Sequence, residues 1–275
     1  MTSAIRVAGA LLLAIGASTI TVPANAQNQE PSKYLYVNNA ELKPGHADQF
    51  AKLISEDAVA ERTAKSPVYY LGSWPITGNS NRVLSIWGFP SYGDLQKNYV
   101  EMMSKPAVAA VLNKNDVALG EITVSRHTSI YEYKKDLSLR AGVDLEKARL
   151  ARIAVFHVRQ GQQETFEHAV KEYVKGFEAS VPEAHWAIFA KGYGEGSGTT
   201  YLYISTMTSM AEMDAFDAGG KAFGEKVGPD VVAMLGTNLS AALESSEWDV
   251  FVFGNNISYV PDQWLTDSPD FWGKK

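Results

Sequence analysis

Cysteine is absent from the whole 275-residue chain. That excludes disulfides, thiolate metal sites and cysteine nucleophiles. Positive charge is also scarce: 25 Lys and Arg stand against 31 Asp and Glu, a net charge of -6. A nucleic-acid binder needs a basic face to displace counterions, so no nucleic-acid partner is expected. Glycine (22) and proline (11) are too few for a collagen-like or low-complexity chain. No Gly-x-Ser-x-Gly elbow occurs. The glycine-rich run 192–198 is not followed by a helix, so it reads as a hairpin tip and not as a phosphate loop.

What is present begins with a sorting signal. Arg6 precedes an apolar run at 7–15, and Ala24-Asn25-Ala26 has the small-x-small form of a cleavage site. The run is shorter than the roughly 20 apolar residues a spanning helix needs. Residues 1–26 therefore read as a signal peptide. Removing those 26 of 275 residues leaves 249, starting at Gln27. The expectation is a periplasmic or secreted protein with no membrane anchor after cleavage.

The remaining chain repeats itself. Gly45 with Phe50 matches Gly161 with Phe166, 116 residues apart. Around these anchors the same elements follow in the same order. Strands are predicted at 34–42 and 152–159, and helices at 46–63 and 162–180. Second strands fall at 68–74 and 185–191, and third strands at 82–89 and 200–207. Helical stretches follow at 92–103 with 107–112, and at 210–217 with 231–243. Fourth strands close the copies at 127–133 and 248–253. The pattern βαββαβ, twice, predicts an α+β protein of two tandem ferredoxin-like units. The units span 34–133 and 151–254, joined by a charged linker at 134–150 and followed by an aromatic tail at 255–275. Each unit would have helices on one sheet face and a bare face to be covered. A tandem pair can cover itself within one chain. The tail, with Trp264, Phe271 and Trp272, is too aromatic for a free end; it docks on its own barrel or on a partner, which leaves a homodimer through the tail open.

The strand–Pro-Gly–helix with Phe50 five residues after Gly45, followed by the strand ending Ser85-Ile86-Trp87, resembles the dimeric α+β barrel proteins, including the antibiotic-biosynthesis-monooxygenase-like domains. The resemblance covers about 34–253 and implies one intrachain barrel. It also implies a reactive pocket between sheet and helices of each unit. In haem-degrading members an asparagine at the position of Asn38 contacts the substrate, and a histidine from the second helical region ligates iron. The stretch 105–113 holds no histidine here, so no cofactor is expected.

The helices discriminate between the two copies. Phe166, Ala169, Val170, Tyr173, Val174 and Phe177 make one apolar stripe. The first copy starts alike with Phe50, Leu53 and Ile54, then places Asp57 where Tyr173 stands and Glu61 where Phe177 stands. Two carboxylates one turn apart on an inward line are candidates for general acid–base work, since burial and like charge raise their pKa. A solvated helix end is the alternative. Asn38 and Trp87 of the first copy, with Tyr173 and Phe177 of the second, are the expected ligand contacts. No metal motif is present; His127, His157 and His185 lie on strands, and whether they meet is left open. These features point to an exported small-molecule-binding protein with its pocket in the first unit. The alternative is a cofactor-free monooxygenase or isomerase acting on a small aromatic or apolar substrate.

Overall fold

The computed structural model describes residues 30–196 and 199–273. The segment 1–26, read from the sequence as a signal peptide, lies outside the described residues. Each copy runs strand, helix, two strands, two helices, strand. The first holds β1 (Tyr34–Leu42), α1 (Ala47–Thr63), β2 (Leu71–Pro75), β3 (Arg82–Phe89), α2 (Tyr92–Met103), α3 (Pro106–Ile122) and β4 (Thr123–Tyr133). The second holds β5 (Leu150–Val158), α4 (Gln163–Ser180), β6 (Ala187–Tyr193), β7 (Thr199–Met207), α5 (Ala211–Val227), α6 (Pro229–Ala242) and β8 (Leu243–Phe253). A short α7 (Asp262–Asp267) follows. The strands hydrogen-bond in the closed order β1-β3-β2-β8-β5-β7-β6-β4. This is the expected α+β barrel of two ferredoxin-like repeats.

The glycines that anchor the repeat are a backbone requirement. Gly45 and Gly161 have φ of 85° and 78°, a region that costs an L side chain but not glycine. Each turn feeds directly into the first helix of its copy.

Several element boundaries differ from the sequence expectation; the helix expected at 210–217, for one, runs to Val227. The helix predicted to stop at 112 continues to Ile122, and β4 starts at Thr123, not at 127. The polar run Asn113-Lys114-Asn115-Asp116 reads as a break, yet Asn115 is fully buried and hydrogen-bonded within the helix packing. Thr123 donates back to the Leu119 carbonyl at 2.8 Å and turns the chain straight into the strand. The same joint recurs between α6 and β8, which begins at Leu243.

The contacts divide the chain into two compact units. One comprises 32–132, 192–195 and 249–275; the other contains 133–191 and 196–248, each as far as described. In the first unit β1 pairs antiparallel with β3 and with β4, and β2 pairs with β3 and with the end of β8. A core of Leu42, Phe50, Leu53, Val83, Leu119, Ile122 and Ile257 lies between this sheet and α1 and α3. Ile257 comes from the C-terminal segment, which forms a strap over the sheet. Gly254 N–H donates to the Gly72 carbonyl, and Gly72 N–H donates to Ser258 Oγ, both at 2.9 Å. Tyr259 bridges Tyr70, and Trp272 is buried.

In the second unit β5, β7 and β6 pair antiparallel beneath an aromatic layer. Phe166 packs on Tyr201 at 4.6 Å between ring centroids, and Phe177 stacks on Phe223 at 4.6 Å. Gly176 permits this, since a Cβ there would stand 2.3 Å from the Phe223 ring. The segment 134–139 forms a strap of the same design. Lys134 N–H donates to the Ile188 carbonyl, Ile188 N–H donates to Ser138 Oγ, and Leu139 bridges Trp186.

Candidate functional site

Asp57 and Glu61 are on α1, one turn apart, and continue the inward line set by Phe50 and Leu53. Phe50 and Leu53 are buried, and both carboxyls are mostly withdrawn from solvent. Asn115, on the facing side of α3 and with no exposed surface, ties the two helices together. Its Nδ2 donates to Asp57 Oδ1 at 2.8 Å and to the Leu53 carbonyl at 3.1 Å. Glu61 Oε2 is buried with no hydrogen-bond partner, as are Asn115 Oδ1 and Asn38 Oδ1. A buried polar atom without a partner is costly, and the first copy keeps three such atoms on β1, α1 and α3.

The electrostatics divide the two carboxyls. Burial pushes Asp57 up to about 6; the Asn115 hydrogen bond pulls it down, Glu56 and Asp116 push it up, and Arg126 pulls it down. Glu61 receives no comparable hydrogen bond. Burial first, then the Asp57 charge, pushes it up to about 8. Near pH 7 Asp57 is therefore mainly ionised and Glu61 mainly protonated. The Tyr70 phenol is held well above its usual value by burial, then by Glu61 and Asp57, which places it beside the pair. Tyr259 of the strap is raised by burial first, and Glu61 also acts on it. Tyr259 donates to the Ser66 carbonyl at 3.0 Å. The flanking charges are paired away from the site: Arg126 with Asp116 at 2.7 Å and Lys114 with Glu56 at 3.3 Å.

The sheet supplies the opposite wall. Asn38 lies in register with Ser85 on β3 and Thr128 on β4, and Ser85 is in turn in register with Gly72. Successive strand residues alternate faces, so Asn38 shares the helix-facing side with Leu42 of the core. Trp87 is on that side too, stacked on Tyr36 with ring centroids 4.0 Å apart. Gly72 leaves room for the strap: a Cβ there would stand 2.1 Å from the Ile257 carbonyl oxygen.

Tyr173 and Phe177, the other expected contacts, belong to the second unit and are completely buried in its aromatic layer. Tyr173 stacks on Phe223 at 5.3 Å, and its hydroxyl has no partner. Matching the copies through the Gly45/Gly161 anchors places Ala154 at the position of Asn38, Tyr173 at that of Asp57 and Phe177 at that of Glu61. The helix–strand joints Ile122-Thr123 and Ala242-Leu243 place Leu235 at the position of Asn115. Four polar side chains in one copy thus correspond to four apolar or aromatic ones in the other.

Of the three histidines expected on strands, His127 and His157 lie on β4 and β5 while His185 precedes β6, and each has its own partner. His127 pairs with Glu195 at 2.8 Å, His157 approaches Thr200 Oγ1 at 3.5 Å, and His185 Nε2 meets the Thr206 carbonyl at 2.9 Å. Among the described residues no three His, Asp or Glu side chains cluster as a metal site would need.

Sequence reasoning missed Asn115 and Tyr70. A signal for Asn115 exists: it interrupts the buried stripe Val108, Leu119, Ile122 just where the second copy keeps Leu235. Tyr70 carries no comparable mark, because an aromatic residue entering a strand reads as ordinary core.

No protein-family model matches the sequence, and no curated protein matches it. Similarity appears in the fold. The chain superposes on an anthrone oxidase-like protein with a TM-score of 0.52 at 17% identity, covering 81% of this chain and 92% of that one. It superposes on a monooxygenase candidate from Fusobacterium nucleatum subsp. nucleatum with a TM-score of 0.50 at 10% identity, covering 82% and 94%. The fold is that of the dimeric α+β barrel proteins, with both repeats in one chain.

Proposed function

We propose that the first unit takes up a small carbonyl compound and moves a proton on it, as a cofactor-free monooxygenase or an isomerase. The observation that carries this is the polar set Asn38, Asp57, Glu61 and Asn115, standing where the second copy has Ala154, Tyr173, Phe177 and Leu235. One carboxyl ionised and its neighbour protonated at the same pH are the two halves of an acid–base pair. Asp57 takes a proton from a carbon adjacent to, or conjugated through a ring with, a carbonyl; the C–H electron pair becomes a C=C bond, the C=O π pair moves onto oxygen, and Glu61 gives a hydrogen bond or a proton to the enolate oxygen. Returning the proton to a different carbon is an isomerisation. Reaction of the enolate with molecular oxygen puts one oxygen atom on the carbon and sends the other to water; a methylene becomes a ketone with no outside reductant. The aromatic wall of Trp87 and Tyr36 suits a flat, apolar body. Similarity in fold to an anthrone oxidase-like protein supports a fused-ring ketone with an acidic methylene as the first substrate to try. The residues 1–26 support export, so this chemistry would run in the periplasm or outside the cell.

Enolisation is testable without oxygen. Anthrone is incubated anaerobically with the protein in deuterated buffer, and exchange at its methylene is followed by NMR. Catalysed exchange that falls at least about tenfold in Asp57→Asn is expected. Anthrone bound at this site without catalysed exchange would overturn the catalytic reading and leave a binding protein.

A further inference from the structure

We infer that Asn115 is the positioning residue that assigns the negative charge to Asp57 and the proton to Glu61. The inference rests on the proton-transfer reading of this site, but it stands on the geometry of one side chain. Both groups that Asn115 touches, the Leu53 carbonyl and Asp57 Oδ1, are acceptors. Its NH2 must therefore face α1, because the reversed amide would set oxygen against oxygen at both contacts. The orientation is fixed by chemistry, and each of the two N–H bonds has its own acceptor. One is anchored on backbone, so the other meets Asp57 at a set position.

A hydrogen bond from an amide favours the charged carboxylate. Asp57 receives one and Glu61 does not. The charged groups around the pair do not make this choice. Glu56 and Asp116 disfavour charge on Asp57, and Arg126, the nearby cation, is engaged with Asp116. The groups beside Glu61 are Asp57, Tyr70 and Tyr259, none of them cationic; Arg62, one residue along, donates to the Val260 carbonyl and pairs with Asp262. Without the Asn115 donor, only the higher ordinary value of a glutamate and its deeper burial would favour the proton on Glu61, and the gap between the two carboxyls would narrow. The amide oxygen faces away from α1, buried and unpartnered. The second copy carries Leu235 at this position and has no carboxyl to orient.

The test is Asn115→Leu, the residue of the second copy and close in volume, with Asn115→Ser as a smaller, polar variant should Asn115→Leu not fold. Protonated carboxyls are counted by infrared difference spectroscopy across pH 4–9, and assigned with Asp57→Asn and Glu61→Gln. In the parent protein the band that disappears between about pH 5 and 7 belongs to Asp57. In folded Asn115→Leu or Asn115→Ser its midpoint should rise by about one pH unit or more, a tenfold gain in proton affinity. An unmoved Asp57 midpoint in either folded variant overturns the inference. A purely structural Asn115 would lower the melting temperature and leave the midpoint in place. The measurement needs no substrate, so a shifted midpoint in a protein that enolises nothing would refute the proposed function and leave this assignment standing.

Discussion

Replacing Glu61 by Gln should change how stability depends on pH, and the direction follows from the folded-state pKa. An unfolded glutamate titrates near 4.5, whereas burial pushes Glu61 in the folded protein up to about 8. The folded state therefore binds a proton that the unfolded state has released throughout that interval. The contribution to stability is fully present below pH 4.5 and is lost as pH rises through 8. For one proton the slope is about -1.4 kcal/mol per pH unit. Across the whole interval the upper bound is about 5 kcal/mol; allowing for screening and relaxation of a partly exposed group, a loss on the order of 2 kcal/mol is the working figure. Asp57, raised from 3.8 to about 6, adds a loss of the same sign below pH 6. Between pH 6 and 8 the slope thus belongs mainly to Glu61.

Glutamine mimics the protonated glutamate and cannot ionise. Glu61→Gln should match the parent protein near pH 5 and exceed its stability by on the order of 2 kcal/mol at pH 8. Urea unfolding followed by tryptophan fluorescence at intervals from pH 5 to 8.5 measures both curves. Parallel curves for parent and variant over that range would refute the reasoning, because they would mean that Glu61 titrates like a solvated side chain.

Two further expectations concern other parts of the chain. Gly72→Ala puts a methyl group about where the Ile257 carbonyl oxygen now lies; since the obstacle is backbone, the variant should lose at least about 2 kcal/mol, and limited proteolysis should cut first within the 254–262 strap, whereas unchanged stability would mean that the strap does not press on β2. Expression with export intact should yield a chain starting at Gln27 by intact mass, and a retained Met1–Ala26 segment would refute the signal peptide.

The fold was legible because its two determinants are periodic. Gly45 and Gly161 mark the strand-to-helix turn, and the apolar alternation and helical stripes follow in the same order after each. Boundaries were legible only where a breaker residue stands. Nothing in 113–122 breaks the helix, and the polar run that suggests a loop is polar partly because Asn115 is needed inside. The straps were not legible at all. Lys134–Leu139 reads as a charged linker and Gly254–Tyr259 as part of a tail, because two buried residues in the one and four in the other give no periodicity. Their likeness emerges only in the bonding, where Ser138 and Ser258 each accept from a strand N–H of β6 or β2.

The candidate site was read from the difference between the copies and not from any motif. A carboxyl pair on one helix is ordinarily a solvated face, and Asp57 and Glu61 stand out only because the homologous line in α4 stays apolar through Tyr173 and Phe177. The second copy therefore acts as an internal control: the same fold, in the same chain, fills that volume with stacked rings. Stability alone would favour the same filling in the first copy, where burying a Phe-sized group would contribute about 1.5–3 kcal/mol. Keeping Asp57, Glu61, Asn38 and Asn115 there forgoes that contribution and adds the cost of desolvating two carboxyls. One copy fills this volume with apolar and aromatic side chains while the other carries polar ones at four matched positions, and the proposed function stands or falls on that difference.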